Sequence, residues 1–150
     1  MSNARYCVAV FALVIAAATP AHAQQPSAAG RIKVVSGAAF IVRDSKLIPA
    51  QIGQDVYTAD ALRTGGDGRI GVTLKDDTRF SLGPSSEVRL ERFNFATADG
   101  ALGLALKIVR GAAAYVSGRI AKLAPDSIRL ETPAAIVGVR GTTLAILVGP

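Results

Sequence analysis

The stretch Arg69-Ile70-Gly71-Val72-Thr73-Leu74-Lys75-Asp76-Asp77-Thr78-Arg79-Phe80-Ser81-Leu82-Gly83-Pro84-Ser85-Ser86-Glu87-Val88-Arg89-Leu90-Glu91 decides the fold class. Ile70, Val72 and Leu74 alternate with Arg69, Thr73 and Lys75, the period-two pattern of a strand with one buried face. Asp76-Asp77 supplies a tight turn, and Phe80 and Leu82 return on the inner face. Gly83-Pro84-Ser85-Ser86 turns the chain again, after which Val88 and Leu90 alternate with Glu87, Arg89 and Glu91. The opposite charges of those three residues favour one solvated face. The pattern predicts a three-stranded meander.

Working outward, the same style continues in both directions. Ile32-Lys33-Val34-Val35 and Ala39-Phe40-Ile41-Val42 read as strands separated by Ser36-Gly37, with a polar turn at Arg43-Asp44-Ser45-Lys46. Residues 47–62 read as irregular, broken by Pro49 and Gly53, with a short strand at Val56-Tyr57-Thr58. Downstream, Leu102, Leu104, Leu106 and Ile108 sit at spacing two, which fits a strand better than the i, i+3, i+4 stripe of a helix. Short strands are expected at 112–116 and from Ser117-Gly118 to Leu123, then a turn at Pro125-Asp126-Ser127. Ile128–Thr132, Ala135–Arg140 and Thr142–Val148 close the series, the last two apolar on both faces and therefore expected to be central. About ten short strands indicate an all-β domain, either a β-sandwich or a solenoid-like stack of hairpins. Val148-Gly149-Pro150 ends without a returning strand, which points to an uncovered edge.

The first 23 residues have the pattern of a cleavable secretory signal peptide. Arg5 gives the positive start, Tyr6 to Ala18 is an uncharged apolar run, and Ala21-His22-Ala23 offers the small-x-small site before Gln24. The run is shorter than the ~20 residues a spanning helix needs. Cys7 lies inside it, not at its end, which argues against a lipoprotein. Residues 24–29 read as a flexible lead and 30–150 as the folded domain. Cleavage removes Cys7 and His22, the only cysteine and histidine of the chain. The remainder is expected to be periplasmic or secreted, with no stable membrane insertion. It can support no thiol nucleophile, disulfide, imidazole base or Cys/His zinc site. Of 17 basic and 11 acidic residues only Arg5 is lost, so the net charge falls from +6 to +5.

No catalytic motif emerges from what is left. Gly66-Asp67-Gly68-Arg69-Ile70-Gly71 matches G-x-G-x-x-G, but a strand follows it where a dinucleotide site needs a helix, so it reads as a turn. Glu87 and Glu91, four residues apart on a strand, are separated by ~13 Å, beyond the ~5–9.5 Å of a glycosidase pair. No enzymatic activity, cofactor or metal is expected. Basic residues are dispersed along the chain with no aromatic stacking platform beside them, which argues against nucleic acid. Arg140, between Val139 and Gly141, is expected to be buried and paired with Asp60 or Glu131, so that its loss should destabilise more than loss of Arg89.

From about residue 47 to 148 the order of elements resembles the FecR domain. The carrying pieces are Leu62-Arg63-Thr64-Gly65, Asp77-Thr78-Arg79-Phe80-Ser81-Leu82-Gly83, Leu106-Lys107-Ile108-Val109-Arg110-Gly111-Ala112, and Glu131-Thr132-Pro133-Ala134-Ala135 running into Val137-Gly138-Val139-Arg140-Gly141-Thr142. The resemblance marks Arg63, Gly65, Asp77, Thr78, Leu82, Gly111, Thr132, Pro133, Arg140, Gly141 and Thr142 as structural or interaction residues. It implies a non-enzymatic envelope module for sensing or protein–protein contact, with envelope proteins as partners. Asp77 stands where the family hairpin usually has Gly, and a signal peptide stands where family regulators have an anti-sigma region and membrane helix. The alternative reading is a carbohydrate-associated or adhesive surface protein, with polysaccharide as partner.

Overall fold

A computed structural model describes residues 26–141 and 143–149, so the signal-peptide segment and Thr142 lie outside the described residues. In chain order the strands are β1 (Gly30–Ser36), β2 (Ala39–Arg43), β3 (Lys46–Pro49), β4 (Asp55–Val56), β5 (Ala61–Thr64), β6 (Arg69–Leu74), β7 (Arg79–Leu82), β8 (Glu87–Ala96) and β9 (Ala101–Val116). A short helix α1 (Arg119–Leu123) and a 3-10 turn at Pro125–Ser127 lead to β10 (Ile128–Glu131), β11 (Ile136–Gly138) and β12 (Thr143–Val148). Among the described residues strand accounts for 58% and helix for 7%, which settles the class as all-β.

The strands form one curled sheet in the order β3-β2-β5-β8-β9-β7-β6-β1-β4, with β10, β11 and β12 off that path. It has two halves that share the long strand β9. The N-terminal part of β9 pairs with β8 and, in parallel, with β10, whereas its C-terminal part lies between β7 and β12. The inner faces enclose one apolar cluster that includes Ile32, Ile41, Ile70, Leu90, Leu104, Leu106, Ile120 and Leu130.

The alternation read from the sequence holds: Ile70, Val72, Leu74, Phe80, Leu82, Val88 and Leu90 are all buried. The meander does not. β6 and β7 form a hairpin, but β7 pairs next with β9, and β8 pairs with β5 and β9. Gly83-Pro84-Ser85-Ser86 is thus a corner between the two half-sheets and not a hairpin turn. Periodicity fixes which face of a strand is buried but carries nothing about its neighbour.

Other expectations also change. Residues 47–62 hold β3, β4 and the start of β5, strands too short to show alternation. The turn at Asp44-Ser45 is as expected, both residues having positive φ as a two-residue hairpin loop demands. Residues 119–123 are helical and not a strand, and Ile120 points into the core. β11 and β12 are peripheral and largely exposed, not central. Ala29, at the end of the lead, is buried and donates its N–H to Val56 O at 2.8 Å.

Four passages between the half-sheets meet in one seam: β1 to β2, β5 to β6, β7 to β8, and β9 itself at Gly111. Gly65 N–H donates to Ala38 O at 2.8 Å, and Ser85 N–H donates to Gly65 O at 2.8 Å. Thr64 Oγ1 donates to Gly83 O at 2.6 Å and accepts from Ser86 N–H at 2.9 Å. Ser86 Oγ in turn accepts from Ala112 N–H at 2.9 Å. Thr64 and Ser86 are fully buried polar residues, and these bonds satisfy them.

The seam dictates glycine at particular positions. Gly111 has φ +80°, and a Cβ there would overlap Ser86 Oγ. A Cβ on Gly68 would overlap the carbonyl of Ala38. Gly138, by contrast, has open space around it. Gly111→Ala should therefore lower stability by about 2 kcal/mol or more in denaturant titration, while Gly138→Ala should stay within about 0.5 kcal/mol.

Candidate functional site

The family-type residues do not converge on one pocket; several of the described ones sit in the core, the turns and the seam. Leu82 is in the core, and Gly65 and Gly111 are seam positions. Arg63 Nε meets Glu87 Oε2 at 3.0 Å, and Arg110 reaches the same oxygen at 3.8 Å, so Glu87 is largely buried and not on the solvated face expected for it. Asp77 takes φ +67°, the left-handed turn position where the family pattern has Gly. Thr132 Oγ1 accepts from Ala135 N–H at 3.1 Å, shaping the Thr132-Pro133-Ala134-Ala135 turn between β10 and β11.

Thr78 belongs to a buried node. Asp76 is fully buried and accepts hydrogen bonds from Thr78 Oγ1 at 2.7 Å, Thr78 N–H at 3.1 Å and Ile120 N–H at 3.3 Å. Its backbone carbonyl accepts from Arg119 N–H at 2.6 Å. The β6–β7 turn thereby docks α1. Tyr115 lies close by with a buried hydroxyl that has no hydrogen-bond partner among the described residues. Burial pushes its phenol above the ordinary value of 10.0; Ser117 and Thr78 oppose the rise, though neither is aligned for a hydrogen bond, and the charge of Asp76 adds to it.

Arg140 is the clearest departure. It is exposed, as is its partner Asp126 at 3.6 Å, because β11 ends at Gly138 and the chain leaves the sheet there. Asp60, one of the two partners expected for Arg140, is buried and paired with Arg43. Arg43 Nε and Nη2 donate to Asp60 Oδ1 and Oδ2 at 2.8 and 2.7 Å, and the guanidinium lies 4.6 Å over the Tyr57 ring. The hydrogen bonds to Asp60 hold the Arg43 guanidinium above its ordinary pKa.

What the molecule presents outward is an edge and a trough. β12, Thr143-Leu144-Ala145-Ile146-Leu147-Val148, carries no charge and, among the described residues, pairs on one side only, with β9. Leu144, Ile146 and Val148 pack against the core, while Leu147 is 82% exposed. Beside it runs an open, mainly apolar trough of about 590 Å³. Its floor follows the register Gly71↔Ser81↔Ala114↔Ala145, with Val34 at one rim and Leu147 at the other. Small residues on four adjacent strands leave the depression. An unpaired, uncharged apolar edge is a ready acceptor for an added strand. The apolar character of both faces of this strand pointed to a central position, which the observed pairing corrects.

Such a molecule is an all-β module with an exposed edge strand and with its charged residues spent on structure or facing solvent. A family model described as FecR protein matches residues 60–149, and the chain belongs to that family. No curated protein and no solved structure matches it. The family is a signalling and sensing one.

Two measurements check the site's polar contacts. Tyr115→Phe removes an orphan hydroxyl and should be neutral or stabilise by up to about 1 kcal/mol at pH 7. The native phenol, its pKa raised, loses stabilising effect as pH climbs above 10.0, where the unfolded tyrosine ionises first, so Tyr115→Phe should flatten the alkaline fall in melting temperature. Separately, Asp60→Ala should cost about 3 kcal/mol, whereas Arg140→Ala and Arg89→Ala should each stay within about 0.5 kcal/mol in thermal melts.

Proposed function

We propose that this chain is an exported, non-enzymatic FecR-family module that senses or relays by binding another envelope protein. Its N-terminal leader directs it out of the cytoplasm, and cleavage before Gln24 leaves the described domain free of thiol and imidazole. The partner contributes an extended segment that adds to the free side of β12. The observation that carries this reading is the one-sided pairing of an uncharged strand, with Leu147 standing in solvent beside the trough. Backbone pairing would supply affinity, and the alternate side chains of the added strand would enter the trough to supply selectivity.

A photo-crosslinking residue placed at position 147 in living cells should yield a discrete adduct with one envelope protein. The same probe at exposed position 91 should not. Leu147→Lys should leave the melting temperature unchanged and abolish function-linked adduct formation at a neighbouring probe in position 145. Adducts of equal intensity from positions 147 and 91, or an adduct of exactly two copies of this chain, would refute the heterologous edge. N-terminal sequencing of the exported product should begin at Gln24; an intact leader on a cytosolic product would refute export.

A further inference from the structure

The outer face of the other half-sheet gathers charges that the sequence disperses. Arg89 pairs across strands with Lys107, and Arg92 and Arg129 flank Ala105 in the adjacent row. Core residues on either side, Val88, Leu90, Leu104, Leu106, Ile128 and Leu130, point inward, so all four cations point out. At strand spacing they fall within roughly 12 Å of one another, close to one screening length at 0.1 M salt, so they act as one field. None of the four is in an ion pair among the described residues. Of the nearby acids, Glu87 is held between Arg63 and Arg110, while Glu131 in register with Lys107 and Glu91 at the β8 bulge offset part of the charge without forming an ion pair among the described residues, leaving four cations against two acids.

The floor between these cations is shaped as well as charged. Gly103 has no side chain, and the Arg92 guanidinium lies across it, with Nε 3.1 Å from where a Cβ would stand. Ala105 is buried beneath the arginines. The result is a shallow basic track over small residues, with planar guanidinium forks suited to bidentate carboxylates. The face is the outside of a curled sheet and therefore convex. A planar bilayer would touch it only along a line, whereas a linear chain can follow it.

We infer that this face binds an acidic polysaccharide through carboxylates spaced along the polymer. The track lies on the half-sheet away from β12, so it is independent of strand addition there. It gives the module an anchor in a polyanionic envelope matrix while the β12 edge stays open.

The test uses the whole chain and immobilised polygalacturonate as probe. Binding should be saturable at low salt and weaken steeply as salt rises through the screening range. Arg89→Glu, Lys107→Glu and Arg129→Glu together should weaken it by about tenfold or more. A control triple with the same charge change, Lys33→Glu, Arg79→Glu and Lys122→Glu, should stay within about threefold. Circular dichroism melts should match the native chain for both; should the first triple lose structure, the Gln versions at the same three positions replace it. Equal loss in both triples would reduce the effect to net charge and overturn the assignment. Equal binding to neutral dextran, or tighter binding to phosphatidylglycerol vesicles than to the polymer, would overturn it too.

Discussion

The fold depends on a chain that changes half-sheet four times at the same place. Each passage exposes backbone donors and acceptors that no regular ladder can satisfy, and in a buried corner such groups must find partners or cost stability. Thr64 and Ser86 supply those partners from side chains that are themselves buried, and Gly65, Gly68 and Gly111 let the backbones approach closely enough for the bonds to form. Without the seam, β9 would have no reason to serve both halves, and the single apolar cluster would divide into two smaller ones. No disulfide can replace it, since no cysteine follows Cys7.

Polar locks elsewhere repeat the principle with charge. The Arg43–Asp60 fork holds the segment that leads into β5, and Asp76 ties the β6–β7 turn to α1. The Asp60 fork joins a buried carboxylate to a partly exposed guanidinium with good geometry, valuable because removing Arg43 strands the Asp60 charge in a poorly solvated place. Most of the described residues that carry the family resemblance belong to this class: they define corners, turns and locks, and thereby the fold. Recognition of the family consequently says much about architecture and little about the partner.

The two half-sheets have different outer surfaces. One presents small and apolar residues ending at an unpaired strand, the other a compact group of cations over glycine and alanine. A module built this way presents two chemically distinct surfaces on one sheet. Rigidity matters here, because an edge strand held in register by β9 has already lost the conformational entropy that a flexible segment would lose on binding.

The sequence by itself determined the all-β class, the buried face of each longer strand, the turns at Asp44-Ser45 and Asp76-Asp77, and family membership. These are local properties, written in alternation and in turn chemistry within a few residues. Only the tertiary structure decided which strands are neighbours, and that is why the meander, the central position of β12 and the buried Arg140 did not survive. Arg89, Lys107 and Arg129 each sat on a recognisable outward face, but they are 18 to 40 positions apart in sequence. Only register brings them together, and register is set by corners whose satisfaction involves residues from four separate segments, information that no single window of sequence contains.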